Sequence, residues 1–264
     1  MSATPDIPAD WRALLERAAD FPRILVLGPP DAGKSTLCRL LADAAGARLL
    51  DSDLGQKMVG PPACVTLGRA DGTLERMRFA GSTDPLRARA ALLHGIASLG
   101  GADGPLVINT GGLVRGPGHP LTLATIDAAA PALVVTLGDW PERAALATAR
   151  PDVELAALAP SPLARRKTDG ERRAARRAVF QAHLRDAVPV TLAPEAAPPL
   201  PEGAASGLLA CLADARGEDR ALAQLQGWNA DGLQLLAPPV EEVGKVRWGV
   251  MMLDAEGRDR PLGA

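Results

Sequence analysis

The sequence predicts an α/β fold, a doubly wound parallel sheet followed by a small β-rich module. Several segments are continuous apolar runs of a few residues, the pattern of parallel strands that are buried on both faces. Segments with helical periodicity lie between most of these runs, which favours alternating strands and helices. After about residue 206 the apolar runs are separated by glycine, aspartate and proline, which is typical of antiparallel strands.

The first strand, turn and helix of the predicted sheet are continuous in sequence. An apolar run over residues 24–27 ends at Gly28. After a glycine-bounded loop, apolar residues return at helical spacing in "STLCRLLADAAG", and Gly46 ends this helix. A short amphipathic helix, "DWRALLERAAD", precedes the unit.

Three further strands continue the α/β pattern. They are predicted in "ARLLDSD", "GPLVINTGG" and "PALVVTLGD". The segments "DPLRARAALLHGIASLG" and "PLTLATIDAAA" precede the last two and are predicted to be helices. We divide the chain into an N-terminal helix in residues 1–20, an α/β domain in 21–187, a proline-rich connector in 188–205 and a β-rich module in 206–264.

Composition narrows the class of protein. The formal net charge of −2 argues against binding nucleic acid by bulk charge, so a site for a polyanion would have to be a local basic patch. The three cysteines are far apart and show neither zinc spacing nor a disulfide framework. No long apolar run or signal-peptide pattern is present in the sequence. We therefore expect a cytoplasmic protein that has no contact with a membrane.

Residues 28–35 match the phosphate-binding pattern GxxxxGK[ST] between a predicted strand and a predicted helix. In this pattern backbone N–H groups surround a β-phosphate, the lysine reaches the β- and γ-phosphates, and the serine hydroxyl binds Mg²⁺. The sequence therefore predicts a P-loop NTPase sheet that binds ATP, or alternatively GTP, with Mg²⁺. The predicted nucleotide-binding residues are Gly28, Pro29, Pro30, Asp31, Ala32, Gly33, Lys34, Ser35 and Thr36.

Two carboxylates, Asp51 and Asp53, follow the second predicted strand. Ligands of open α/β sheets bind at the carboxyl ends of the strands, so both side chains should face the triphosphate. One could hold the metal and the other could accept a proton from an attacking hydroxyl. The alternative is a solvated turn or a helix cap.

A basic helix is predicted near the end of the α/β domain, in "SPLARRKTDGERRAARRAVFQAHLRD". Arg172, Arg176, Phe180 and His183 share one face of this helix. By itself this pattern favours a solvated basic helix.

Four blocks in order resemble a known family. The blocks "GPPDAGKSTLCRLL", "DSDLGQ", "NTGGLVRGPG" and "RRAARRAVFQAHL" are similar to those of polynucleotide 5′-hydroxyl kinases related to the mRNA cleavage-factor kinase subunit and the ribosomal-RNA-processing kinases. The resemblance covers about residues 23–184, and the tail resembles the family's C-terminal domain. It implies that Asp53 is the base for the 5′-hydroxyl and that Gln56 helps to organise the metal site. With Ser35 of the phosphate loop and Asp51 of the carboxylate pair, the predicted metal ligands are Ser35, Asp51 and Gln56.

The resemblance also implies an acceptor clasp and a lid. The clasp, TxGW in the family, matches Thr110, Gly111, Gly112 and Leu113, with leucine in place of tryptophan. The lid carries arginines spaced five and then four apart. Here they fall on Lys167, Arg172 and Arg176, with lysine at the first position. The resemblance thereby makes Arg172 and Arg176 candidates for stabilising charge on the transferring phosphoryl group.

The sequence thus predicts an ATP-dependent kinase that transfers the γ-phosphate to the 5′-hydroxyl of RNA or DNA. The catalytic residues would be Lys34, Asp53, Arg172 and Arg176. Two alternatives stay open. One is an ATP-binding, non-catalytic scaffold subunit of an RNA-processing complex, and the other is a kinase for a small molecule such as a nucleoside or a sugar.

Overall fold

A computed structural model describes residues 7–193, 195, 197–229 and 232–263. The helices are α1 (Ala9–Glu16), α2 (Lys34–Ala45), α3 (Arg89–Gly100), α4 (Gly118–Ala129), α5 (Arg143–Ala149) and α6 (Asp169–His183). The strands are β1 (Arg23–Leu27), β2 (Arg48–Asp51), β3 (Cys64–Gly68), β4 (Leu74–Phe79), β5 (Leu106–Asn109), β6 (Leu133–Leu137), β7 (Glu154–Leu158), β8 (Val188–Leu192), β9 (Leu208–Ala213), β10 (Asp219–Asn229), β11 (Gly232–Ala237), β12 (Lys245–Leu253) and β13 (Asp259–Pro261).

The core of the sheet is parallel, in the order β2-β5-β1-β6-β7. Residues in β1 alternate between its two faces: Ile24 and Val26 pack in a cluster with α1 and α2, whereas Leu25 and Leu27 pack with α3 and α4. Helices therefore cover both sides of the sheet, which is why its strands are apolar throughout. The predicted doubly wound P-loop fold is confirmed.

An antiparallel hairpin extends this sheet beyond β2. Strands β3 and β4 pair antiparallel with each other, and β3 pairs antiparallel with β2. The sequence patterns did not predict this hairpin, nor β7 and α5. Strand β4, "LERMRF", carries three charged residues, so it lacks the apolar run on which the other strands were identified.

The C-terminal part is β-rich, as predicted, and it continues the same sheet. Strand β10 pairs with β4 through Asp219 and Met77, and β9, β12 and β13 follow on the other side. Strand β8 lies within the predicted connector but pairs with β11 of this C-terminal part. In the part of the chain that the structure describes, no helix is both long and apolar enough to cross a membrane.

Candidate active site

The phosphate loop, residues 28–35, joins β1 to α2. Gly33 begins this helix with a φ of 97°, a conformation that favours glycine. A Cβ atom at Gly33 would lie 2.8 Å from Ser161 Cβ and 3.3 Å from Trp11 Cη2. Trp11 is buried, and its indole Nε1 donates to the carbonyl of Ala159 at 2.9 Å. The loop is thus packed from behind, and only glycine fits at this position.

Lys34 places its ammonium group inside the phosphate loop. The side chain is buried, and Nζ donates to the carbonyl oxygens of Gly28 and Pro29, both at 2.9 Å. Burial lowers the pKa of Lys34, because it disfavours the charged form, while the nearby carboxylate of Asp53 opposes this shift. The loop therefore holds a partly desolvated cation, as a site for a polyanion requires.

Asp51 organises the turn that follows β2. Its Oδ1 accepts from Asn109 Nδ2 at 2.9 Å, its Oδ2 accepts from the backbone N–H of Met58 at 2.6 Å, and Lys57 Nζ lies 3.3 Å from Oδ2. The side chains of Asp51 and Lys57 are each 1% exposed. Both carboxylate oxygens of Asp51 therefore have protein partners. Its role as a metal ligand stays a prediction.

Asp53 lies at the carboxyl end of the sheet beyond Asp51. Its Oδ1 accepts from the backbone N–H groups of Gly55 and Gln56, both at 2.9 Å. Burial raises the pKa of Asp53, and the charge of Asp51 adds to this effect, although the two hydrogen bonds and Lys34 oppose it. A carboxyl group with a raised pKa is a suitable acceptor for a proton near neutral pH.

Two neighbouring cavities share Asp53. The P-loop cavity is lined by Pro30, Asp31, Gly33, Lys34, Ser35, Thr36, Asp53, Gln56, Gly112, Leu113, Ser161, Leu163, Ala164, Arg165, Lys167 and Arg172. The clasp cavity is lined by Leu27, Ser52, Asp53, Leu54, Gly55, Thr83, Pro85, Leu92, Thr110, Gly111, Gly112, Leu113, Val114, Leu121, Thr122 and Thr125. Most of the predicted site residues thus come together around these two spaces.

Within the predicted clasp, two side chains have different environments. Thr110 is buried, and its hydroxyl donates to the carbonyl of Val26 in β1 at 2.7 Å, so it secures the clasp to the sheet. Leu113 is 38% exposed and lines both cavities. It is therefore in a position to contact a bound molecule.

The lid helix, α6, begins with a capping box between Thr168 and Glu171. Asp31 of the phosphate loop accepts from Arg172 Nη2 and from the backbone N–H of Lys167, the latter at 2.8 Å. Gln56 Nε2 donates to the carbonyl of Arg172 at 3.0 Å. The helix is thus connected both to the phosphate loop and to the turn that carries Asp53.

Arg176 lies one turn further along the lid helix and does not line the P-loop cavity. Its Nε donates to Asp259 Oδ1 of β13 at 3.0 Å. A Cβ atom at Gly55 would lie 3.5 Å from Arg176 Nη1, so the end of the guanidinium lies beside the turn that holds Asp53.

Several residues that support the site were not predicted from the sequence. The capping box of the lid helix could have been recognised from the spacing of Thr168 and Glu171. No local pattern indicated that Lys57 would pair with Asp51 or that Asp259 would reach the lid helix.

A phosphate loop, a desolvated lysine and basic side chains around one cavity define a P-loop nucleotide-binding protein. Within that class, the chain belongs to the mRNA cleavage and polyadenylation factor CLP1 P-loop family, whose model matches residues 28–185.

Individual proteins resemble parts of the chain. A polyribonucleotide 5′-hydroxyl-kinase of Pyrococcus furiosus is 31% identical over 156 residues, which are 52% of this chain and 44% of that protein. A shikimate kinase of Mycobacterium bovis is 33% identical over 108 residues, which are 41% of this chain and 58% of that protein. The chain thus spans about half the length of these curated relatives.

Among solved structures, the wild-type Clp1p–Pcf11p complex contains a chain of the same fold. Its TM-score is 0.70 at 12% identity, over 88% of this chain and 74% of that chain.

Proposed function

We propose that this protein is an ATP-dependent polynucleotide 5′-hydroxyl kinase, which transfers the γ-phosphate to the 5′-hydroxyl end of RNA or DNA. The observation that carries the proposal is the position of Asp53, which lines both the P-loop cavity and the clasp cavity. A general base must lie between the phosphate donor and the hydroxyl acceptor. A cytoplasmic location is part of the proposal, supported by three free, buried cysteines.

The residues of the phosphate loop fit a nucleoside triphosphate, ATP or alternatively GTP. The loop has a glycine at Gly33, where a Cβ would clash, and a buried ammonium group at Lys34. Ser35 lies in the first turn of α2 and lines the P-loop cavity, so its hydroxyl and backbone N–H can face phosphate oxygens at the helix N-terminus.

Mg²⁺ belongs to the proposal together with the nucleotide. Among the described residues there is no cluster of three or more histidine, cysteine or carboxylate side chains that could hold a metal. Kinase sites hold Mg²⁺ with one or two protein oxygens and the substrate phosphates. Ser35 and Gln56 line the cavity and fit this role. Asp51 would have to give up a hydrogen bond to do so. Bound Mg²⁺ would neutralise charge on the phosphates.

Each remaining residue has a role in this proposal. Asp53 accepts the proton of the 5′-hydroxyl as its oxygen attacks the γ-phosphorus, and the nucleoside diphosphate leaves. Lys34 and Arg172 stabilise negative charge on the phosphoryl oxygens. The substrate end is held by the clasp, Thr110 to Leu113, and Lys167 lines the P-loop cavity.

A small-molecule kinase is the second candidate, favoured by the similarity to a shikimate kinase. Among the described residues that line the clasp cavity there is no lysine or arginine to pair with a small anionic acceptor such as shikimate. The lining of this cavity is apolar apart from hydroxyl groups and Asp53, which suits the neutral sugar and base of a nucleoside end.

A phosphate-transfer assay tests the proposal and both alternatives. The purified chain is given γ-labelled ATP and Mg²⁺ with a 5′-hydroxyl RNA, the matching DNA, a free nucleoside or shikimate. The same RNA with a 5′-phosphate is the acceptor control, and Lys34→Ala is the control for contaminating kinases. We expect labelling of the 5′-hydroxyl oligonucleotides alone. Labelling of a nucleoside or shikimate in preference would support a small-molecule kinase, and ATP binding without any transfer would support a scaffold.

A further inference from the structure

Asp259, in the last described strand, connects three segments that are distant in sequence. Its Oδ1 accepts from Arg176 Nε of the lid helix, and its Oδ2 accepts from the hydroxyl of Thr83, both at 3.0 Å. The side chains of Arg176 and Asp259 are only 17% and 15% exposed, so the pair is largely shielded from solvent. Both carboxylate oxygens of Asp259 thus have partners from the α/β domain.

Both partners of Asp259 lie at the candidate site. Thr83 lines the clasp cavity. Arg176 directs Nη1 toward Gly55, whose backbone N–H donates to Asp53. The carboxylate holds Arg176 through Nε, at the side of the guanidinium group, and the terminal nitrogen Nη1 lies near the turn that carries the proposed base.

We infer that Asp259 is a positioning residue that sets the guanidinium of Arg176 for phosphoryl transfer. This inference rests on the proposed function. An arginine side chain has several rotatable bonds, and a shielded carboxylate bound at Nε selects one orientation of its planar group. Without that carboxylate, Arg176 would be a poorly solvated cation without its partner and would adopt another rotamer. The C-terminal β-rich part would then be a component of the active site.

The alternative is that the pair only holds the C-terminal part against the α/β domain. Glu218 supplies a matched control, because its carboxylate also crosses between these parts. It accepts from Arg78 Nη2 of β4 at 2.6 Å, and neither residue lines the two cavities. Loss of a purely structural contact should affect stability in both variants and turnover in neither.

The test compares kcat, KM and melting temperature of Asp259→Asn, Asp259→Ala, Arg176→Ala, the double variant Asp259→Ala/Arg176→Ala, and Glu218→Gln. Asparagine retains the shape of aspartate and one hydrogen-bond acceptor, so Asp259→Asn should fold even if Asp259→Ala does not. We expect kcat to fall about tenfold or more in both Asp259 variants with little change in the KM for ATP. Glu218→Gln should keep wild-type kcat.

The double variant provides the decisive comparison. If Asp259 acts through Arg176, its removal should lower kcat no further once Arg176 is absent. The inference would be overturned if the loss of kcat in the double variant equalled the product of the two single losses. It would also be overturned if Asp259→Asn kept the wild-type kcat. ATP hydrolysis by water is measured in parallel with all variants. A wild type that hydrolyses ATP but labels no 5′-hydroxyl end would overturn the proposed function alone, since the same comparison of Asp259 can be made in hydrolysis.

Discussion

Asp31 of the phosphate loop forms an ion pair with Arg172 of the lid helix, with Oδ2 and Nη2 2.5 Å apart. The same carboxylate oxygen accepts from the backbone N–H of Lys167. The two side chains are 13% and 23% exposed, so solvent screens the pair only in part. The loop thus carries its own counter-charge for the arginine that would face the transferred phosphoryl group, and this pairing orients the arginine.

We expect Asp31→Asn to bind ATP more tightly than the wild type but to turn over more slowly. Removing the carboxylate removes repulsion of the triphosphate, and it also removes the charge that orients Arg172. Asparagine tolerates the left-handed conformation of this residue, whose φ is 61°, so the loop should keep its shape. The dissociation constant should fall a few-fold and kcat should fall about tenfold.

Asp169→Asn is the control for the Asp31 variant. Asp169 also contacts Arg172, at 3.2 Å, but its side chain is 82% exposed. An exposed ion pair of this kind contributes little free energy. The dissociation constant for ATP and kcat of Asp169→Asn should therefore stay at their wild-type values. Weaker ATP binding by Asp31→Asn would contradict the proposed counter-charge.

Lys34→Ala and Asp53→Asn should both abolish most transfer but should differ in nucleotide binding. Lys34 contacts phosphates in the ground state, whereas a base acts mainly on the chemical step. We therefore expect Asp53→Asn to lower kcat by about 100-fold or more while ATP affinity stays nearly unchanged. Calorimetric titration with ATP and single-turnover transfer separate the two effects. Near-normal turnover of Asp53→Asn would exclude Asp53 as the base.

The raised pKa of Asp53 predicts effects of pH on both activity and stability. A base is active when deprotonated, so transfer should be lost as the pH falls through a pKa above the usual range for aspartate. Because the folded pKa exceeds the unfolded pKa, ionised Asp53 destabilises the fold, and this cost appears as the pH rises between the two values. Asp53→Asn should therefore raise the melting temperature at pH 7, with the difference vanishing below about pH 4.

The melting curves are recorded for wild type and Asp53→Asn across the pH range in the absence of nucleotide. Asparagine retains an oxygen for the N–H groups of Gly55 and Gln56, so the comparison isolates the charge. A variant that melts below the wild type at pH 7 would show that these hydrogen bonds and Lys34 outweigh burial.

Local sequence patterns are sufficient to predict much of the candidate site. The phosphate loop follows from glycine and lysine spacing, and the edge at which Asp53 lies follows from the rule that parallel strands present ligands at their carboxyl ends. Helix α6 was predicted from its periodicity. These features depend on neighbours in sequence, so the sequence could indicate them.

Contacts between distant segments could not be predicted in this way. Asp31 and Arg172 are 141 residues apart, and Arg176 and Asp259 are 83 apart. Their pairing depends on how α6 crosses the loop and on the antiparallel hairpin β3–β4, which brings β10 and its neighbours into the same sheet. Such long-range pairing leaves no periodicity in either segment.

The lid arginines should act on turnover more than on binding. We expect Arg172→Ala and Arg176→Ala each to lower kcat about tenfold or more, with a smaller change in KM. Arg173→Ala and Arg177→Ala are matched controls on the neighbouring, exposed face of the same helix, and they should leave kcat nearly unchanged. An unchanged kcat in the Arg172→Ala/Arg176→Ala double variant would indicate that α6 is a solvated surface helix with no role in transfer.

The last prediction concerns Leu113, which stands where the resemblance implies a tryptophan. The sequence alone also allows this leucine to be a core residue beside Leu106 and Ile108, and a tryptophan would then overpack the core. The structure excludes that alternative, because Leu113 is 38% exposed at the boundary of the two cavities. A side chain at this position therefore faces the space in which a terminal base would bind.

We therefore expect the wild type to have a high KM for 5′-hydroxyl oligonucleotides with little preference for the terminal base, and Leu113→Trp to lower that KM. Stacking of a base on an aromatic ring contributes about 1 to 3 kcal/mol, of which leucine supplies only a part. Because a stack formed before the chemical step stabilises the ground state and the transition state about equally, kcat should change little. Steady-state kinetics with oligonucleotides that differ in the terminal base measure both constants, and thermal melting shows whether the ring is accommodated. Leu113→Met, similar in volume but not aromatic, should keep the wild-type KM. A wild-type melting temperature with an unimproved KM in Leu113→Trp would show that the terminal base does not stack at this position.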